Sequence, residues 1–189
     1  MNILKKIIFL LTLVCSVILG DEYAQVLSNV KNGICKDSDA AVLDKVCQAG
    51  NGVVCSNLAF AYSYARSSAP KKFPGAETGG TRICIYGKNQ EKAIFYAELG
   101  CKYDSADACK TLGYYYDIKK DDCKSLEANK KACSLGGDYY CYNLAVDYEK
   151  GSCIEEDKTK ALNLYKKACK ANDQSACNNY KRLRKSVRK

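Results

Sequence analysis

Eight of the thirteen cysteines fall into four pairs of a single form. Cys47 and Cys55, Cys101 and Cys109, Cys133 and Cys141, and Cys169 and Cys177 are each separated by seven residues. Paired thiols hold a metal, cycle electrons or close a covalent loop. A structural zinc site draws on C-x2-4-C spacing or on mixed Cys/His sets. Thiol redox centres favour C-x-x-C. The chain has no C-x-x-C and no histidine, so neither a metal nor another cofactor is expected. Disulfides remain, and closing so short a loop stabilises by about 2.5 kcal/mol in the chain-entropy model.

The compartment implied by disulfides agrees with the start of the chain. Lys5 and Lys6 precede an apolar run from Ile7 to Leu19, and Gly20 precedes Asp21. That order of charge, apolar run and small residue is a secretory signal, too short for a membrane span. Cleavage is expected after Gly20, which makes residues 1–20 a signal peptide and the product secreted or periplasmic, with no transmembrane span. Lipid attachment at Cys15 is the alternative, although Thr-Leu-Val before it lacks the usual small residue. Either route removes Cys15 from the count and leaves twelve, an even disulfide set.

A helical repeat must position the paired cysteines. The stretches ALNLYKKAC, AIFYAELGC, SLEANKKAC and DAAVLDKVC end on the first cysteine of each pair. Counting back one, four and eight places gives Ala168, Tyr165 and Ala161; Gly100, Ala97 and Ala93; Ala132, Asn129 and Ser125; and Val46, Leu43 and Asp39. These positions share one helical face, and most are small or apolar. After the second cysteine, small residues recur at Ala59, Gly113 and Ala145, and tyrosines at Tyr62, Tyr116 and Tyr148. Each unit is therefore a first helix, a tight turn rich in Gly, Asn and Asp, and a second helix. Such units bury their faces by stacking. The expected fold is all-α: a right-handed α-solenoid of four helix-turn-helix repeats over residues 37–185, each stapled by a disulfide. Residues 21–36 form an N-terminal cap in which Tyr23, Leu27 and Val30 are helically spaced. The stretch 67–82 holds both prolines and reads as an inserted loop. Lys181 and Arg184 replace the small and Tyr positions in the last repeat, as a terminal cap requires, and residues 186–189 end a basic tail.

The helix-pair period, the A-x-x-x-Y-x-x-A-C ending of Ala161–Cys169 and the C-x-N-L-[AG] opening at Cys55 and Cys141 resemble the Sel1-like repeat, a relative of the tetratricopeptide repeat. With C-x7-C in every repeat and an export signal, the chain is similar to the Helicobacter cysteine-rich protein (Hcp) family. The resemblance covers residues 37–184. Its departures are the 67–82 insertion and four further cysteines, Cys35, Cys84, Cys123 and Cys153. Three pairings of these four exist. Proximity of neighbouring repeats favours Cys35–Cys84 and Cys123–Cys153.

The resemblance implies slow β-lactamase activity and binding of penicillin-like compounds. No catalytic residue can be named. A zinc enzyme needs histidine ligands, and Ser-His or Cys-His nucleophiles need histidine too. The serine-enzyme motif S-x-x-K occurs at Ser28/Lys31, Ser68/Lys71 and Ser186/Lys189 without S-D-N or K-T-G, as chance allows in a chain rich in Ser and Lys. Binding has better candidates. Asn57, Asn143 and Asn179 recur two places after the second cysteine, with Thr111 in the second repeat. Off the packing face, their side chains suit clamping a peptide, a peptidoglycan fragment or a β-lactam in a concave groove. The equal alternative is that they cap turns or bond the next repeat, leaving a non-catalytic scaffold for protein interaction. A monomer without nucleic-acid partners is expected.

Overall fold

The computed structural model describes residues 20–29, 36–64 and 85–187. Among the described residues the structure is helical throughout, without a strand. Helix α1 (20–29) precedes α2 (Asp39–Gln48), α3 (Gly52–Ser63), α4 (Gln90–Lys102), α5 (Ala106–Ile118), α6 (Asp122–Gly136), α7 (Tyr142–Lys150), α8 (Lys158–Lys170) and α9 (Gln174–Val187). A single 3-10 turn, Asp138–Cys141, leads into α7. Consecutive helices pack on one another in chain order, which makes the fold an α-solenoid of four helix pairs. The inserted loop 67–82, Cys15, Cys35 and Cys84 lie outside the described residues.

The periodic positions form the core. Ala93, Ala97, Ala161 and Ala168 are fully buried, and Tyr165 is 1% exposed. Alanine at these crossings removes the bulk that keeps helices apart. Gly100 goes further: a Cβ there would come within 2.5 Å of the Ala108 Cβ on the paired helix. In the cap, the residue that seals the stack is Val26, packed near Val42, Leu43 and Tyr86. Tyr23 and Leu27 flank it half-buried, while Val30 lies outside the described residues.

All four C-x7-C pairs are bonded, with Cα–Cα distances of 4.5–4.8 Å. Cys123 and Cys153 are bonded as well, Cα–Cα 5.0 Å. Three of the stapled turns share one backbone recipe. A residue with positive φ (Gly50, Asp104 or Asn172) ends the first helix. The next residue donates its N–H to a carbonyl five places back: Asn51 to Val46, Ser105 to Gly100, Asp173 to Ala168. Its side chain then caps the second helix, accepting from Val54, Ala108 or Ala176. In the third repeat the capping position is Gly137, which has no side-chain oxygen. There α6 runs on to Gly136, the 3-10 turn intervenes, and α7 begins at Tyr142.

The apolar core is divided. One cluster extends from Val46 to Ala132, and a second from Ala145 to Leu183. Between them, at the α6–α7 joint, polar groups take the place of apolar ones. The Asn129 amide donates to Asp147 Oδ2 (2.9 Å) and to Ser125 Oγ (3.3 Å), and Ser125 Oγ donates to the Gly113 carbonyl (3.0 Å). A side chain at position 113 would meet the Asn129 amide oxygen at 2.3 Å, so the small residue here has become glycine.

Candidate functional site

The second helices of the four pairs, α3, α5, α7 and α9, form one connected wall. Tyr115 of α5 donates to Ser63 Oγ of α3 (2.9 Å). Tyr140, in the 3-10 turn before α7, donates to Asp107 of α5 (2.8 Å), and Lys110 lies over the Tyr139 ring at 4.7 Å. From α9, Asn179 Nδ2 reaches the Tyr142 hydroxyl (3.2 Å) and Arg182 forms a two-pronged ion pair with Glu149 (2.6 and 2.8 Å). These bonds hold neighbouring helices in register without occupying the positions between them.

Burial and partners set the titration of the wall. Desolvation raises the Tyr140 phenol, and the bond to Asp107 raises it further. The Tyr115 phenol is raised chiefly by burial. The hydrogen bond to Glu149 is the leading cause that raises the Arg182 guanidinium. None of these groups is a nucleophile at neutral pH.

The sequence-predicted binding positions all fall on this wall, each half-buried. Asn57, Thr111 and Asn143 make no side-chain hydrogen bond to another described residue. Asn179 differs, because it bonds Tyr142 of the preceding repeat and accepts from Arg182 Nε (3.4 Å). Its amide therefore joins two repeats. Helical spacing puts Phe60 and Tyr64 on the stripe of Asn57, and Tyr114 and Ile118 on that of Thr111. Phe60 and Tyr64 have ring centroids 4.8 Å apart. Tyr114 is 60% exposed and Ile118 48%. Phe60, Tyr64 and Ile118 are not among the sequence-predicted contacts, whereas Tyr114 belongs to GYYYD, whose tyrosines the sequence offers as core filler or as groove contacts. The offsets of three and seven from the Asn position carried the signal.

A shallow cavity of about 750 Å3 lies mainly along α4, between Asn89, Gln90, Glu91, Ile94, Phe95, Glu98 and, at the end of α5, Lys119. Glu98 there accepts a hydrogen bond from the Tyr116 hydroxyl (2.9 Å). The S-x-x-K partners cannot be assembled, since Lys31, Ser68, Lys71 and Lys189 lie outside the described residues. Among the described residues no group of three or more Cys, Asp or Glu is disposed to hold a metal. No helix among them is long and apolar enough to cross a membrane. Five disulfides suit an oxidising compartment outside the cytoplasm.

No protein-family model matches the sequence, and no curated protein matches it. Solved structures do. A Sel1 repeat protein from Oxalobacter formigenes matches over 76% of this chain and 97% of its own, with a TM-score of 0.56 and 20% identity. The protective antigen c5321 of uropathogenic Escherichia coli, which displays an SLR fold, matches over 84% of this chain at TM-score 0.60 and 21% identity; the match takes in 32% of that larger protein. Cysteine-rich protein B of Helicobacter pylori aligns over 48% of this chain and 71% of its own, with a TM-score of 0.44 and 26% identity. The stacked helix pairs, with the Oxalobacter and Escherichia coli structures beside them, show the fold: an α-solenoid like that of Sel1 repeat proteins.

Proposed function

We propose that the wall formed by α3, α5 and α7 binds an extended peptide, including the stem peptide of a cell-wall fragment, in a protein exported with its leader removed after Gly20. The observation that carries this is the recurrence of half-buried Asn57 and Asn143 at one helical position, without a side-chain hydrogen bond to a described residue, on a wall that also holds the half-buried Phe60 and Tyr64 rings and the exposed Tyr114 ring. A primary amide both donates to and accepts from a peptide backbone. Two such amides a fixed distance apart impose a register on it. Phe60, Tyr64 and Tyr114 then offer surfaces for apolar side chains, with little rotamer entropy to lose. Opening of a β-lactam ring is the activity implied by the Hcp resemblance. It finds no nucleophile–base pair on this wall, so a β-lactam would be a ligand that mimics the peptide.

The test uses peptides selected from a display library on the oxidised protein. Titrated calorimetrically against Asn57→Ala/Asn143→Ala, they are expected to bind at least about tenfold more weakly, the loss of roughly one hydrogen bond's net free energy. Unchanged affinity overturns the assignment. Hydrolysis of a chromogenic cephalosporin above a denatured control would instead establish an enzyme.

A further inference from the structure

The positive charge of this chain is concentrated at one end. Residues 158–189 hold 11 Lys and Arg against a single acid, Asp173, a charge of +10, whereas the whole chain carries +9. Everything before residue 158 therefore sums to −1. Charge that serves solubility alone works with both signs interspersed. Here one sign is gathered on one helix pair, α8 and α9.

Few of these cations are engaged within the fold. Arg182 pairs with Glu149, and Lys158 with Glu156 (2.9 Å). Lys166, Lys167, Lys170, Lys181, Arg184 and Lys185 are exposed and form no ion pair with a described acid. The first three sit on the outer side of α8, opposite buried Ala161, Tyr165 and Ala168. The other three line α9 at spacings of three and one, on a helix with no described successor to cover it. A shallow hollow of about 360 Å3 opens among Lys181, Arg184 and Lys185, with the half-buried Tyr180 ring as its apolar wall. Cations around an aromatic residue with an apolar ring and a polar tip match the chemistry of a bilayer interface.

We propose that the α8–α9 end of the solenoid docks on an anionic phospholipid surface, its cations meeting headgroup phosphates. Clusters of four to eight Lys and Arg have this property, and the attraction decays within a Debye length. The cations cover the outside and the end of the stack rather than lining a cleft. A broad, flat polyanion fits that layout better than a thin strand. In the oxidising compartment implied by the disulfides, a membrane face is such a polyanion. The wall of α3, α5 and α7 remains open to its own ligand.

The oxidised protein, recovered after export from an expression host, is sedimented with vesicles of phosphatidylglycerol and phosphatidylcholine, and with vesicles of phosphatidylcholine alone. Binding is expected only to the first, falling about tenfold from low to physiological salt. K181E/R184E/K185E and, separately, K166E/K167E/K170E are each expected to weaken it at least about tenfold, with unchanged circular dichroism. All six sites are exposed, and either triple keeps the test decisive if the other misfolds. Equal binding to both vesicle types, or binding unaffected by both triples, overturns the proposal. So does tighter binding to duplex DNA or heparin than to the anionic vesicles.

Discussion

Asp147 places a carboxylate inside the α6–α7 joint, 8% exposed. Its only described hydrogen bond is the one from Asn129, whose own amide oxygen is buried without a partner. Burial is the largest influence on the Asp147 carboxyl and raises it above the ordinary 3.8; the Asn129 bond pulls it back, Asp117 raises it, Lys150 lowers it and Asp122 raises it. The folded chain thus holds this proton more tightly than the unfolded chain does. By linkage, the resulting stability is fully present below the unfolded pKa and is lost as pH rises through the raised folded value. Asp147→Asn removes the titration while keeping the shape. Urea midpoints of the two proteins are expected to shift in favour of Asp147→Asn as pH rises from about 4 to 7. A difference that stays constant over that range would show that Asp147 titrates alike in the folded and unfolded chains.

Turns show how single side chains decide the extent of an element. In three repeats an Asn, Ser or Asp follows the positive-φ residue, and the second helix starts at once. In the third, Gly137 follows Gly136, and the start of the α-helix is delayed until Tyr142. Asp173→Ala removes the acceptor for the Ala176 amide (2.9 Å) and is expected to lower unfolding free energy by about 1 kcal/mol. Asp138→Ala is the contrast: Asp138 is exposed, caps no amide, and its loss is expected to stay within about 0.5 kcal/mol. Equal costs in urea denaturation would refute the capping account. Helices, staples and the alanine faces were legible in the sequence because the 3.6-residue period and the C-x7-C spacing repeat four times. The delayed start of α7 has its own sequence signal, the second glycine of SLGGDYY, which stands where the other repeats carry Asn, Ser or Asp. The Asn129–Asp147 bond and the Asn179–Tyr142 bond were not legible. The first joins the two helices of the third repeat and the second joins two repeats, at positions that no local pattern couples, so only packing brings them together.

A repeat stack divides most easily where neighbouring units share the least apolar surface, since its stability is a sum of unit and interface contributions. Here the apolar break falls inside the third unit, between its helices α6 and α7. Tyr140 packs on the first apolar cluster and Tyr142 on the second, with Ser125, Asn129 and Asp147 filling the joint. Two covalent bonds span it: the Cys133–Cys141 staple, from α6 to the 3-10 turn before α7, and Cys123–Cys153, from the first turn of α6 to the loop after α7, thirty residues later. Unlike the C-x7-C staples, the Cys123–Cys153 bond ties the far ends of a helix pair rather than its turn. Closing its loop stabilises by about 3.6 kcal/mol in the chain-entropy model, more than any single staple. Cys123→Ser/Cys153→Ser is therefore expected to loosen the end unit while leaving the first cluster intact. Hydrogen exchange should then show α8 and α9 amides losing protection well before those of α3, α4 and α5, two opening steps where the parent protein shows one. Uniform loss of protection along the chain would mean that the polar joint couples the clusters as tightly as an apolar one, and that the solenoid opens as a single unit.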